Sequence, residues 1–248
     1  LYQIGFSIYD AFNPNSVLVP WNRSNGITSA MTLPQNTDSP IGGLGSFFVL
    51  DSNLQVSGIK DNVMIGRVGG SGSKSRSETF AVIEDLLEFA SSLNLKDMES
   101  YKDIADLIDD SPIAESMDLH PRDIKALYNL VNDDLPLIIS ANRASDLLKL
   151  IDLKLKYDLN LIIMGAQEAG LVADKIAKNN IPLIINPINN IPESFDELAA
   201  NIELAAYLEK QGITLMFNAP RSHNFHLIRQ GAGVAVANGM SYAGALRA

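Results

Sequence analysis

The sequence predicts a parallel α/β fold, and three observations carry that prediction. In the second half an apolar, strand-like run turns polar at its end and leads into an amphipathic stretch, and this happens four times. Pro136 to Ser140 runs into Ala141, Asn142, Arg143 and Asp146; Leu159 to Met164 runs into Gly165, Ala166, Gln167 and Glu168. Ile181 to Ile185 leads into Asn186 and Asn189, and Ile213 to Phe217 into Asn218, His223 and Asn224. Single helices between successive strands force parallel pairing with right-handed crossovers. Finally, runs such as Leu159 to Met164 are apolar almost throughout, as in strands covered by helices on both faces. A (β/α)8 barrel and a doubly wound sheet both satisfy these observations. Either one places its chemistry at the carboxyl ends of the strands.

The elements follow in order. Asp10 to Pro14 is a turn signal, and the segment to Asn25 suits a short helix. Gly26 to Pro34 alternates between Gly and Pro boundaries and reads as a strand; Phe47 to Leu50 and Asn62 to Val68 read as two more. Residues 69–76 are a flexible Gly/Ser loop by composition. Ser77 with Glu78 opens a helix to Asn94 that puts Phe80, Ile83, Leu86, Leu87 and Ala90 on one face. Residues 97–120 are rich in acids and read as an acidic insertion or a solvated helix. Pro121 suits the first position of a helix to Val131. Further helices are expected over 143–157, 167–179, 194–210 and 224–238, the third opened by a capping box of Ser194 and Glu197.

Composition narrows the function classes. The chain has 248 residues, enough for one barrel or two smaller domains, and is read as a single domain over 1–248. A hydrophobic fraction of 46 % with 19 % charged residues is that of a soluble globular domain. No apolar stretch approaches the roughly 20 residues of a membrane span. A net charge of −10 argues against nucleic acid, whose phosphates need clustered Lys and Arg. The absence of cysteine excludes disulfides, thiolate nucleophiles and cysteine-based zinc sites within the chain. Starting at Leu1 without a leader pattern, the chain reads as a processed or truncated product, and its compartment, cytoplasmic or periplasmic, is left open.

Common nucleotide and hydrolase motifs are missing. Gly69 to Lys74 lacks the spacing of a phosphate loop, and Gly42 to Gly45 lacks the helix and acid of a dinucleotide fingerprint. No G-x-S-x-G elbow and no H-E-x-x-H occur. The polar residues after the strands therefore carry the functional expectation. His223, the candidate acid or base, stands with Asn224 where a helix is expected to begin, so that imidazole, amide and free N–H groups could meet an oxygen; capping of that helix is the bland alternative. Asn142 and Arg143 follow the first strong strand, Arg143 suited to a carboxylate or to an internal pair with Asp146. Glu168 could act as a base or merely favour a helix dipole. Asn186 completes the substrate-binding set.

At these residues the chain resembles a known family. Ile138 to Asp146, Ile163 to Ala169, Ser222 to Asn224, Gln230 to Gly239 and Ala243 to Leu246 look like the imidazolonepropionase-like branch of the amidohydrolase superfamily. Asp10 to Pro14 and Asn25 to Thr28 fit the same pattern, so the resemblance spans most of the chain and is weakest over 52–120. It implies a (β/α)8 TIM-barrel-like fold of the metal-dependent hydrolase type, incomplete at its N-terminal end. It also implies a divalent metal such as zinc and hydrolysis of C–N bonds in amides or cyclic amides.

The chain departs from that pattern where the metal would sit. The family's His-x-His strand would precede Leu1, its terminal segment would follow Ala248, Ser140 and Gly165 or a neighbour stand at the expected metal histidines, and Asn218 to Pro220 hold no water-activating aspartate. Serine and glycine cannot replace imidazole on zinc. The expectation is thus an amidohydrolase-like protein with a degenerate metal site and no metal cofactor in this chain, inactive by itself. The alternative is a non-catalytic small-ligand-binding or scaffold domain. Expected partners are a small amide or anionic ligand and a second copy of the chain, without nucleic acid or membrane.

Overall fold

The computed structural model describes residues 4–35, 39–51, 56–70, 75–94, 99–189, 191–219 and 221–248. Four parallel strand units form where the apolar runs lie. They are β4 (Leu137–Ala141), β5 (Leu161–Gly165), β6 (Leu183–Ile185) and β7 (Leu215–Phe217). Ahead of them come β1 (Ser29–Thr32), β2 (Ile41–Val49) and β3 (Gly58–Arg67). The seven strands make one sheet in chain order, β1 to β7.

This corrects the expected eight-stranded parallel barrel. β1 pairs with β2, and β2 with β3, antiparallel; parallel pairing begins only at β3 and β4, where Met64 faces Leu137. The sheet is therefore mixed, and β1 and β7 are its edges. The reason lies in the connections. Parallel neighbours need a crossover of about a dozen residues, usually helical. Residues 33–40 and 50–57 are too short to supply one, so the chain doubles back as a meander.

Helices then cover the parallel part. α1 (Leu18–Ser24) precedes β1; α2 (Arg76–Ser92), α3 (Tyr101–Asp110), α4 (Pro112–Ser116) and α5 (Pro121–Asn132) lie between β3 and β4. α6 (Ala144–Tyr157) links β4 to β5, α7 (Ala173–Lys178) precedes β6, and α8 (Leu204–Lys210) precedes β7. After β7 come α9 (Ile228–Ala237) and α10 (Tyr242–Arg247). The apolar face expected on α2 is buried through Ile83, Leu86, Leu87 and Ala90, with α2 packed against α5, and belongs to one core that also holds Ile124, Leu127, Leu137 and Ile139. Ser75, rather than Ser77, caps α2 by accepting from the Glu78 amide. Residues 71–74 of the Gly/Ser loop and 95–98, the last two of which open the acidic segment, lie outside the described residues, whereas α3 and α4 cover most of 101–116.

Two features tie the start of the chain down. Asp123, fully buried at the first turn of α5, accepts from the Ile4 amide at 3.0 Å, the Gly5 amide at 2.7 Å and the His120 amide at 3.1 Å. A side chain at Gly5 would begin 2.2 Å from the Arg122 carbonyl oxygen, so glycine is required for that approach. α1 rests on the segment that follows β7: Trp21 Nε1 donates to the His223 carbonyl at 3.1 Å and Asn22 Nδ2 to the Ser222 carbonyl at 3.0 Å. Among the described residues no helix is long and apolar enough to cross a membrane.

Candidate functional site

The polar groups expected after each parallel strand do sit at the carboxyl ends of β4 to β7, yet they do not converge as one cluster. Asn142 and Glu168 come together. The Glu168 amide donates to the Asn142 carbonyl at 3.0 Å, and the Gln167 amide approaches Asn142 Oδ1 at 3.5 Å. Gly165, with φ +94°, makes room: a Cβ there would stand 2.3 Å from Asn142 Oδ1. Glu168 is buried, and its carboxylate accepts from the amide of Ala144, the first residue of α6, at 2.9 Å. It thus serves the helix N-terminus, where a negative charge is favoured.

Arg143 stands exposed at the N-cap of α6. It does not pair with Asp146. Asp146 is 3 % exposed and takes Arg76 Nε at 2.9 Å, while Arg76 Nη2 reaches Asp196 at 2.5 Å. Burial alone would push the Asp196 carboxyl up, but the Arg76 hydrogen bond, the Gly70 amide and the charges of Arg76 and Arg143 together hold it below the usual carboxylate range. Arg76 is shifted up, chiefly by its hydrogen bond to Asp146, against the opposing effect of burial.

Asn186 closes a local turn: its Nδ2 donates to Asn189 Oδ1 at 3.1 Å and its Oδ1 accepts from the Ile188 amide at 3.2 Å. His223 and Asn224 fall in a 3-10 turn, Ser222–Leu227, and α9 begins only at Ile228. Neither side chain caps a helix, and the His223 ring is exposed. The expected meeting of imidazole with free helix N–H groups therefore does not form. Among the described residues no hydrogen bond joins His223 or Asn224 to Asn142, Arg143, Glu168 or Asn186.

The long connection after β6 changes the site most. A helix was expected over 194–210, but α8 starts at Leu204, and residues 191–203 run across the strand ends as an irregular strap. The expected capping box of Ser194 and Glu197 does not form: Ser194 Oγ accepts from the Asp196 amide at 3.2 Å, Glu197 Oε2 from the Glu193 amide at 3.3 Å, and the Glu197 amide donates to the Ser194 carbonyl at 3.2 Å. Propagation fails because a helix is stabilised by burying an apolar stripe, and here Ile191, Phe195 and Leu198 are 68 %, 89 % and 64 % exposed. The strap's polar side chains turn inward instead. Asn142 Nδ2 donates to Glu197 Oε1 at 2.7 Å, and the Ala199 amide to Glu168 Oε1 at 3.4 Å.

Two amide oxygens at the strand ends are orphaned. Gln167, 4 % exposed, has its Oε1 buried without a partner, and Asn218, just past β7, has its Oδ1 in the same condition. A buried acceptor without a donor is costly, so such atoms call for an N–H or O–H group from elsewhere. The divalent metal implied by the sequence resemblance fits these residues poorly. Among the described residues no three of His, Asp and Glu gather to hold an ion, and Glu168 is already committed to two backbone amides.

Fold and site together define an α/β domain whose polar side chains gather at the carboxyl ends of parallel strands. The chain shares the fold of an amidohydrolase from Thermotoga maritima MSB8, with a TM-score of 0.74 at 16 % identity over 98 % of this chain. It spans 64 % of the length of that protein. No protein-family model matches the sequence, and no curated protein matches it.

Proposed function

We propose that the chain is the main part of an amidohydrolase-like protein of the imidazolonepropionase-like branch, and that its strand ends bind a small amide or cyclic amide without a metal centre. The observation that carries this reading is the pair of buried, unpartnered amide oxygens, Gln167 Oε1 and Asn218 Oδ1. They are acceptors, so they select a ligand that presents N–H groups. The carboxylates nearby, Glu168 and Glu197, add negative potential and disfavour an anion. In this reading Asn142, beside Glu168, orients such a ligand. A second reading, hydrolysis of a C–N bond in the longer protein, is supported by the fold shared with the Thermotoga amidohydrolase.

The test is thermal unfolding of the purified chain with acetamide, glutarimide and hydantoin, with acetate as the anionic counterpart, and with zinc. Saturable stabilisation by an imide or amide that disappears in Gln167→Met, with no response to acetate, is expected. Stabilisation by stoichiometric zinc, or by acetate in place of the amides, would overturn the reading.

A further inference from the structure

We infer that the strap, residues 191–203, is a gate held shut over the strand ends by Arg76. This rests on the ligand-site reading above, because the groups the strap covers are those assigned to the ligand. Three ties hold it. Arg76, fixed from below by buried Asp146, binds Asp196, which also accepts from the Gly70 amide at 3.3 Å. Asn142 donates to Glu197, and Glu168 accepts from Ala199.

The strap's own backbone hydrogen bonds are local, Glu197 to Ser194, Ala200 to Glu197 and Leu204 to Asn201, so none extends the sheet. Its large apolar side chains Ile191, Phe195 and Leu198 face solvent and contribute little burial. A segment held by side-chain ties, with few buried apolar contacts, opens locally at much lower free energy than the core beneath it. Two of those ties end on Asn142 and Glu168. The strap covers Asn142 through Glu197, so a ligand reaches Asn142 and Glu168 only when the strap moves aside. Arg76 sets its equilibrium from the far side, since the guanidinium spans the immobile α6 carboxylate and the mobile strap carboxylate.

The experiment needs no ligand. The chain has no cysteine, so Gln167→Cys places a single thiol at the covered strand ends while leaving all three ties in place. Its rate of modification by a water-soluble thiol reagent is measured with and without Asp196→Asn, and native-state hydrogen exchange is followed in parallel on Asp196→Asn alone. Losing a charge-assisted tie should speed thiol modification and exchange at 191–203 by about tenfold, with β4 and β5 amides unchanged. Equal modification rates would overturn the gate, as would acceleration of β4 and β5 exchange to the same degree. Failure of every amide probe to bind would sink the ligand reading and leave this result untouched.

Discussion

Replacing Arg76 by Met isolates the electrostatic centre of the molecule. Asp146 lies 3 % exposed in the first turn of α6 and takes its charged hydrogen bond from Arg76, seventy residues earlier in the chain. Removing one partner of a buried pair costs about 3–5 kcal/mol, because the other charge is stranded away from water. Arg76 has a third of its side chain exposed, so water reaches the site and the lower end applies, about 3 kcal/mol. For a chain of this size each kcal/mol shifts Tm by roughly 2–4 °C, which gives a fall of about 6–12 °C. Urea titration should show a lower midpoint with an unchanged slope, the mark of altered stability without altered exposure on unfolding. The double variant Arg76→Met, Asp146→Leu should recover much of the loss, because it no longer buries a lone carboxylate. An Arg76→Met variant within about 0.5 kcal/mol of the parent, or a double variant equal to the sum of the singles, would refute the reasoning.

Three further outcomes are expected. Asp123→Ala orphans the buried amides of Ile4, Gly5 and His120 and should cost about 3 kcal/mol, with Ile4 and Gly5 exchanging as freely as an unstructured segment; protected amides there would contradict the geometry. Gly165→Ala demands a left-handed backbone at roughly 1–2 kcal/mol and drives a methyl into Asn142, so denaturant unfolding should show a loss of about 2 kcal/mol or more, whereas a neutral result would mean that the turn is not as described. Asp196 sits below its ordinary pKa, so its contribution is present above the unfolded value of about 3.9 and is lost as pH falls through the folded one. The parent should therefore lose stability more steeply than Asp196→Asn on acidification below about pH 4, and parallel acid curves would dismiss the Arg76 tie.

Much of the second half was legible because its signals are local. An apolar run of five residues followed by an amphipathic stretch marks a strand and its crossover helix with no knowledge of partners, so β4 and α6, β5, β6, β7 and the first-position proline of α5 fall within a residue or two of their expected places. The first half misled for a matching reason. Three short strands are visible in Gly26 to Val68, but direction is a property of a pair, and only the length of the connections, read with that question in mind, distinguishes a meander from three barrel strands.

The candidate site divides in the same way. Asn142 and Glu168 could be named from sequence because a strand end is a local feature. Their actual partners could not, since Glu197 lies fifty-five residues from Asn142 and Asp196 far from Arg76. Ser194 and Glu197 spell a helix start that tertiary ties override, and His223 sits in a 3-10 turn where a regular helix would have aimed its amides. What the sequence by itself determined is therefore the four strands of the second half, α6 between the first two of them, and the lack of thiols, all of which depend on neighbours within a few residues or on composition alone. Strand direction, the strap and the Arg76 linkage were decided only by the tertiary structure, because each exists solely where separate segments meet and exchange charge or hydrogen bonds.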